Sequence, residues 1–477
     1  MTVPERHIIP IVPAAVDDEA AVSLYVAHEK IQPRAVSGLF ARWRWVMVWV
    51  TQVVFYGLPW LQWHARQAVL FDLEARRFYI FGLVLYPQDF IYLTGLLVIS
   101  ALSLFLFTAV AGRLWCGFTC PQTVYTEIFL WIEKLVEGDR SARLRLDRSA
   151  LSAGKLGKRS LKHVLWIVVS LWTGFTFVGY FTPIRELGAL SLAAALGPWQ
   201  TFWIFFYGFA TYGNAGFLRE QVCKYMCPYA RFQSAMFDRD TMIVTYDERR
   251  GEPRGARSKK ADPQALGLGS CVDCTLCVQV CPTGIDIRKG LQYECIGCAA
   301  CIDVCDDVMD KVGYPRGLIR FSTQNGIAGG WDTRQMLRRA LRPRVLVYAS
   351  VLLAITLAVG VSLFLRTPLK VDVIRDRGAL ARMVEQGRIE NVFRLQIMNA
   401  TESPQRYAIG VSGLPGIAVA SSTEVEVLPT EVRSAAVRVQ IPPDAAAPGS
   451  HPIHFDIRAL GDGTIRVTEK AAFVVPR

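Results

Sequence analysis

"CVDCTLCVQVCP" fills residues 271 to 282 and "CIGCAACIDVCD" fills residues 295 to 306. The spacing C-x2-C-x2-C-x3-C occurs in both, with Pro282 behind the fourth cysteine of the first run and Asp306 in that place in the second. Four cysteines within eleven residues suit neither zinc, whose thiolate pairs are separated by longer loops, nor a disulfide framework in a reducing compartment. The pattern is that of paired 4Fe-4S sites, in which three thiolates of a short loop hold one cluster and the fourth cysteine reaches the other. The ligand sets are therefore crossed: Cys271, Cys274, Cys277 and Cys305 for the first cluster, and Cys281, Cys295, Cys298 and Cys301 for the second. Asp306 replaces a turn-fixing proline without removing a ligand.

Outward from these runs the chain is dominated by apolar stretches. Of the 477 residues 52% are hydrophobic, with 12 Trp and 25 Phe. The apolar residues gather in runs of about 20, the length an α-helix needs to cross a hydrocarbon core of roughly 30 Å. Five such runs begin at 43, 90, 163, 199 and 345, and five nearly charge-free runs exceed what soluble cores need. The first follows some forty residues rather than a short basic leader, and "GLPWLQW" is no small-residue cleavage site, so it is expected to be retained. Residues 113 to 162 carry ten Lys and Arg, whereas 62 to 89 and 183 to 198 carry only Arg66, Arg76, Arg77 and Arg185. The positive-inside rule then predicts that the N-terminus, 113 to 162 and 219 to 343 face the cytoplasm and that the tail from 366 lies outside. The net charge of +12 is explained by topology and anionic lipid, with no nucleic-acid partner required.

A second cysteine pattern lies at the predicted cytoplasmic membrane surface. "CGFTCP" at 116 to 121 returns as "CKYMCP" at 223 to 228. Pro121 and Pro228 are each expected to open a helix, which makes Cys120 and Cys227 N-cap residues facing the positive end of a helix dipole. That position is expected to lower a thiol pKa. Brought together, Cys116, Cys120, Cys223 and Cys227 offer four soft ligands for copper(I), zinc or another iron–sulfur centre. A disulfide within one pair is disfavoured, since residues one helical turn apart have Cβ atoms about 5 to 6 Å apart against the roughly 3.5 to 4.5 Å a disulfide prefers.

The expected architecture is a multidomain membrane protein: an α-helical transmembrane bundle of about five spans, an inserted two-cluster bacterial-type ferredoxin (α+β), and a C-terminal immunoglobulin-like β-sandwich. In chain order these are a cytoplasmic segment at 1–42, a four-helix membrane region at 43–218, the ferredoxin region at 219–343 and a fifth helix at 344–365. The β-sandwich follows at 366–477, where alternating stretches such as "HPIHFDIRAL" and "TIRVTEKAAFVVP" predict about seven strands. Residues 251 to 270 read as a polar linker, His163 as an interfacial residue rather than a haem ligand, and His451 and His454 as strand surface. "RRFYIFGLVLYP" from 76 is too short to span and is expected to lie in the outer interface.

The two CxxxCP motifs, the membrane spans and the two-cluster ferredoxin together resemble a family of membrane polyferredoxins that includes NapH and NosR. The fifth span and outer β-domain narrow the resemblance to the CcoG, FixG or RdxA type of cytochrome c oxidase accessory protein, covering about 30 to 477. The resemblance implies an inner-membrane electron-transfer protein that assists assembly of a cbb-type oxidase, with two 4Fe-4S clusters and a cupric reductase step at Cys116, Cys120, Cys223 and Cys227. It implies as partners oxidase assembly factors or copper chaperones and transporters, beside the lipid bilayer and an unidentified electron donor. Two other readings remain open: a quinol-linked conduit to another reductase, and a non-catalytic assembly scaffold.

Overall fold

A computed structural model describes residues 31–258, 266–376 and 381–476; part of the polar linker and most of the N-terminal segment lie outside the described residues. Among the described residues three helices are long and apolar enough to cross a membrane, at Pro87–Ala111, Ala153–Val178 and Pro343–Phe364. The apolar run from 43 lies in α1 (Leu39–Gly57), which carries Arg42 and Arg44 in its opening turns. The second long helix has its regular α-helical part, α2, at Phe90–Ala111. It is followed by a single turn at Leu114–Phe118 and by α3 (Pro121–Glu137). The next long helix is α4 (Ala153–Val178), and the run from 199 forms α5 (Pro198–Gly213), which ends in a π-helical turn through Leu218. Short α6 (Pro228–Met236) precedes the ferredoxin region, α7 (Ala300–Val312) lies within it, and α8 (Pro343–Phe364) leaves it. Pro121 and Pro228 do open helices, as their fixed φ and missing N–H favour.

Close backbone approach holds the long helices together. At Gly174 of α4 an added Cβ would lie 2.2 Å from the Ile204 carbonyl oxygen of α5, so only glycine admits this crossing. Beside them, Tyr56 of α1 shares a hydrogen bond with Thr173 of α4 at 2.9 Å. At one end of the pair α2 and α8, the Tyr92 hydroxyl donates to the Ser362 carbonyl at 3.2 Å.

The two ends of that pair meet different domains. At one end the Met242 amide donates to the Val110 carbonyl of α2 at 3.0 Å, and Arg342, just before α8, bonds the Ala109 carbonyl at 2.7 Å and pairs with Asp238 at 2.9 Å. This end carries the cysteine-rich region, flanked by the antiparallel strands β4 (Ile243–Tyr246) and β5 (Ile319–Ser322). At the other end stands the tail. Seven of its described strands have four or more residues: β6 (Leu369–Arg375), β7 (Ile389–Asn399), β8 (Gln405–Ser412), β9 (Glu424–Val427), β10 (Val432–Ile441), β11 (Gly449–Ala459) and β12 (Arg466–Val475). One antiparallel sheet runs β10-β7-β6 and the other β9-β8-β11-β12. Their inward residues, among them Phe393, Leu395, Val439, Phe455 and Ile457, form one buried core in which Phe393 meets Phe455 edge-on at 5.1 Å.

The segment too short to span folds back on the tail. It forms a three-stranded antiparallel sheet, β1 (Val69–Asp72), β2 (Arg77–Ile80) and β3 (Leu83–Leu85), whose Leu70, Tyr79, Val84 and Tyr86 pack on Met398 of the sandwich. The Tyr86 hydroxyl donates to the Asn399 carbonyl at 2.9 Å. Asp89, 3% exposed, pairs with Arg366 at 2.9 Å and also with Lys370.

Candidate functional site: two thiol-lined crevices and a four-cysteine junction

The two cysteine runs follow matching backbone paths. Asp273 and Gly297, one residue before the second cysteine of each run, are left-handed with φ of 53° and 69°. Thr275 and Ala299, one residue after it, are left-handed with φ of 58° and 59°. Such alternation produces the concave backbone that accepts anionic groups and many iron–sulfur centres. Each path then enters a helix, at Leu276–Gln279 and at α7.

The loops enclose two crevices of nearly equal size, with about 370 and 350 Å3 of empty space. The first is lined by Cys271, Cys274, Cys277 and Cys305, and the second by Cys281, Cys295, Cys298 and Cys301, with Cys277 on the wall between them. All twelve cysteines are free thiols, and among the described residues no group of three His, Cys, Asp or Glu side chains has closed to metal-ligand geometry. Burial first, then the charge of neighbouring cysteines, pushes the Cys295 and Cys305 thiols up to about 12 and holds Cys301 well above the usual thiol value. Four mutually repelling thiols out of water cannot ionise together unless a cation joins them, so metal binding here must displace protons. The donor set and the concave loops fit one 4Fe-4S cluster in each crevice.

The membrane half grips this region at several points. Asp303, between Cys301 and Cys305, accepts the Phe40 amide at 3.0 Å and the Ala41 amide at 2.7 Å, capping the first turn of α1. Arg44, 6% exposed, donates from Nη1 to the Cys298 carbonyl at 2.6 Å. Arg113 donates to the carbonyls of Tyr293 and Ala230. Phe40 and Phe118 pack against the buried cluster that contains Cys271 and Cys277.

The CxxxCP cysteines converge at the same junction. Cys116 sits on the turn Leu114–Phe118, Cys120 is the N-cap of α3, Cys223 sits in the π-turn Val222–Met226 and Cys227 is the N-cap of α6. Cys116 lies within electrostatic reach of Cys120 and Cys227, and Cys223 within reach of all three others. The Cys116 thiol also donates to Gln233 Oε1 at 3.2 Å. Burial pushes Cys116 up to about 11 and Cys223 up to about 12. Contrary to the lowering expected at this N-cap position, Cys120 is raised too: burial outweighs the opposing pull of the Gln122 and Thr123 amides at the start of α3. The pull of the helix terminus is present but weaker than burial.

Between the two cysteine systems there is no spacer. A Cβ added at Gly117 would lie 2.7 Å from the Cys298 Cα, the Cys298 nitrogen and the Gly297 carbonyl carbon. The backbone of the first CxxxCP motif therefore rests directly on the loop that lines the second crevice. Gly117, Arg44, Arg113 and Asp303 were not singled out by their sequence context as site residues; only the charge of Arg44 at the start of an apolar run was unusual. His163 Nδ1 lies 2.9 Å from the Tyr212 hydroxyl, and His451 Nε2 lies 2.7 Å from the Ala447 carbonyl.

Comparison with known proteins agrees with this geometry. A 4Fe-4S dicluster domain profile matches residues 218–324, and a 4Fe-4S binding domain profile matches 93–138. The profile for the IG-like fold at the C-terminus of FixG matches 359–476. Protein RdxB of Cereibacter sphaeroides is 40% identical over 84% of this chain and 86% of its own, and protein RdxA of the same organism is 39% identical over 83% and 84%. The nitrogen fixation protein FixG of Rhizobium meliloti is 39% identical over 82% and 81%. A crystal structure of a FixG-related protein from Vibrio parahaemolyticus aligns with 23% of this chain and 97% of its own at 25% identity, with a TM-score of 0.21. The apolar helices, the ferredoxin-type 4Fe-4S domains and identity across more than four-fifths of three relatives make this a membrane iron–sulfur electron-transfer protein, and the chain belongs to the FixG/RdxA family.

Proposed function

We propose that this protein reduces copper(II) to copper(I) at the cytoplasmic face of the bacterial inner membrane, in support of cbb-type oxidase assembly. In this reading Cys271, Cys274, Cys277 and Cys305 hold one 4Fe-4S cluster, and Cys281, Cys295, Cys298 and Cys301 hold another. Such clusters supply single electrons, the quantity that copper(II) reduction consumes. Cys116, Cys120, Cys223 and Cys227 receive the substrate copper, because thiolates favour copper(I) over copper(II). The observation that carries the reading is the contact at Gly117, through which a four-thiol site abuts the loop lining the second crevice. Five spans, with the ferredoxin region inside and the β-sandwich outside, accord with the attachment of these two domains to opposite ends of α2 and α8.

One observation favours a second reading. The 4Fe-4S binding profile at 93–138 covers a stretch whose only cysteines are Cys116 and Cys120, which suits a third iron–sulfur centre on the same four thiols. Iron, sulfide and copper analysis of anaerobically purified protein separates the two. About eight iron, with copper(II) reduction lost in Cys120→Ala or Cys227→Ala, supports copper chemistry; about twelve iron, falling in those variants, supports the third centre. Unchanged iron and unchanged copper reduction in single alanine variants of Cys116, Cys120, Cys223 and Cys227 would refute both.

A further inference from the structure

The two crevices differ in the charges that surround them. Beside the first, Arg288 is occupied by Asp273 and Asp286, the latter at 2.8 Å, and Asp306 follows Cys305 directly. Behind the loop that lines the second, Arg44 of α1 is 6% exposed and bonds the carbonyl of Cys298, without itself lining the crevice. Among the described residues Arg44 makes no ion pair. A second buried cation, Arg113, also acts on Cys295, and the nearby carboxylates offset Arg44 little. Asp303 is committed to the amides at the start of α1, and the influence of Glu127 on Cys298 is weaker than that of Arg44.

A cation in contact with an iron–sulfur centre stabilises its reduced, more negative state and so raises its potential. Burial alone works the other way, since a low-dielectric site resists added negative charge. The same low dielectric, however, strengthens the pull of a cation bonded to the loop that carries the ligands.

We propose that Arg44 is a potential-setting residue: it holds the cluster of Cys281, Cys295, Cys298 and Cys301 at a more positive reduction potential than the cluster of Cys271, Cys274, Cys277 and Cys305. One electron shared by the pair then rests on the side that faces Gly117 and the CxxxCP cysteines. The inference rests on reading the eight thiols as ligands of two clusters, and it holds whichever metal the CxxxCP site takes.

The test is a redox titration of the full-length protein in detergent, followed by electron paramagnetic resonance, with iron content measured on each sample. The parent should show two midpoints. In Cys274→Ser, which removes a thiol lining the first crevice alone, the surviving signal should be the more positive one. Arg44→Gln should keep its iron and shift the sharing of one electron about tenfold toward the first cluster, 59 mV for a one-electron couple. Arg44→Lys, which keeps the charge, should stay near the parent. About eight iron with a single common midpoint, an unmoved separation in iron-replete Arg44→Gln, or survival of the more negative signal in Cys274→Ser would each overturn the role of Arg44. Should Arg44→Gln lose iron, the Cys274→Ser and Arg44→Lys titrations decide alone. A parent with about four iron would overturn the two-cluster reading and this ordering with it.

Discussion

Replacing Gly117 by alanine tests whether the two cysteine systems work as one. The added Cβ would stand 2.7 Å from three backbone atoms of Gly297 and Cys298, whereas carbon atoms in contact prefer about 3.5 Å or more. Relief requires a displacement of about 0.8 Å, and backbone atoms of a cysteine loop cannot supply it by changing rotamer. Overpacking of this kind costs about 1 to 3 kcal/mol, which moves the loop away from the CxxxCP turn without unfolding the ferredoxin region. A misplacement near 1 Å can cost on the order of 100-fold in a positioned reaction, so copper(II) reduction under a fixed supply of reductant should fall by about that order while iron stays at the parent level. Gly157→Ala is the control, because a Cβ there meets nothing within 4 Å and alanine suits a helix interior. The measurement is stopped-flow oxidation of the dithionite-reduced protein by copper(II), with iron content and thermal stability on the same samples. Parent-like rates and stability in iron-replete Gly117→Ala would refute the reasoning, because the contact would then carry neither strain nor coupling.

Other outcomes follow from the same geometry. Cys305→Ser should damage the first cluster although it lies in the second run, reducing iron from about eight toward four and changing the spectrum of one centre only. Gly174→Leu should separate α4 from α5, since its Cβ meets the Ile204 carbonyl at 2.2 Å, and the full-length protein should lose thermal stability in detergent where Gly157→Leu does not. In the sandwich, burial of Glu390 raises its carboxyl pKa, but Gln440 and Arg382 outweigh that and leave it below the usual 4.5. The folded value being the lower, its stabilisation is present above about pH 4.5 and is lost as pH falls through the folded value. Unfolding of the parent followed from pH 7 to pH 3 should therefore show a loss that Glu390→Gln lacks. A reporter fused after Arg477 should work only outside the cytoplasm and one inserted near Gly255 only inside; the reverse result would overturn the proposed orientation.

The parts legible in the sequence are those whose signal is local. Cysteine spacing dictates a loop path, which is why matched left-handed residues flank Cys274 and Cys298. Pro121 and Pro228 start helices because one ring fixes one dihedral. Alternation in "HPIHFDIRAL" gives a strand with Ile453, Phe455 and Ile457 buried on one face. What escaped depends on contacts between distant segments. Nothing around "RRFYIFGLVLYP" reveals that Tyr79 and Val84 will cover Met398. The state of the Cys120 thiol followed from burial depth, which a local helix-cap argument cannot supply. Gly117 and Arg44 matter only because a loop 180 or more residues away folds back onto them.

The pairing of Asp89 with Arg366 and Lys370 also bears on how the molecule is made. Asp89 leaves the ribosome with the beginning of the chain, and its two cationic partners leave almost 300 residues later. Until they arrive, the carboxylate needs water or a proton, because a lone charge is costly to bury. The three-stranded sheet at Val69–Leu85 therefore cannot close over Asp89 during early synthesis. Folding of the tail becomes the step that seals this end, so a chain interrupted before residue 366 would expose an open, hydrated notch to the proteases that survey unfinished membrane proteins.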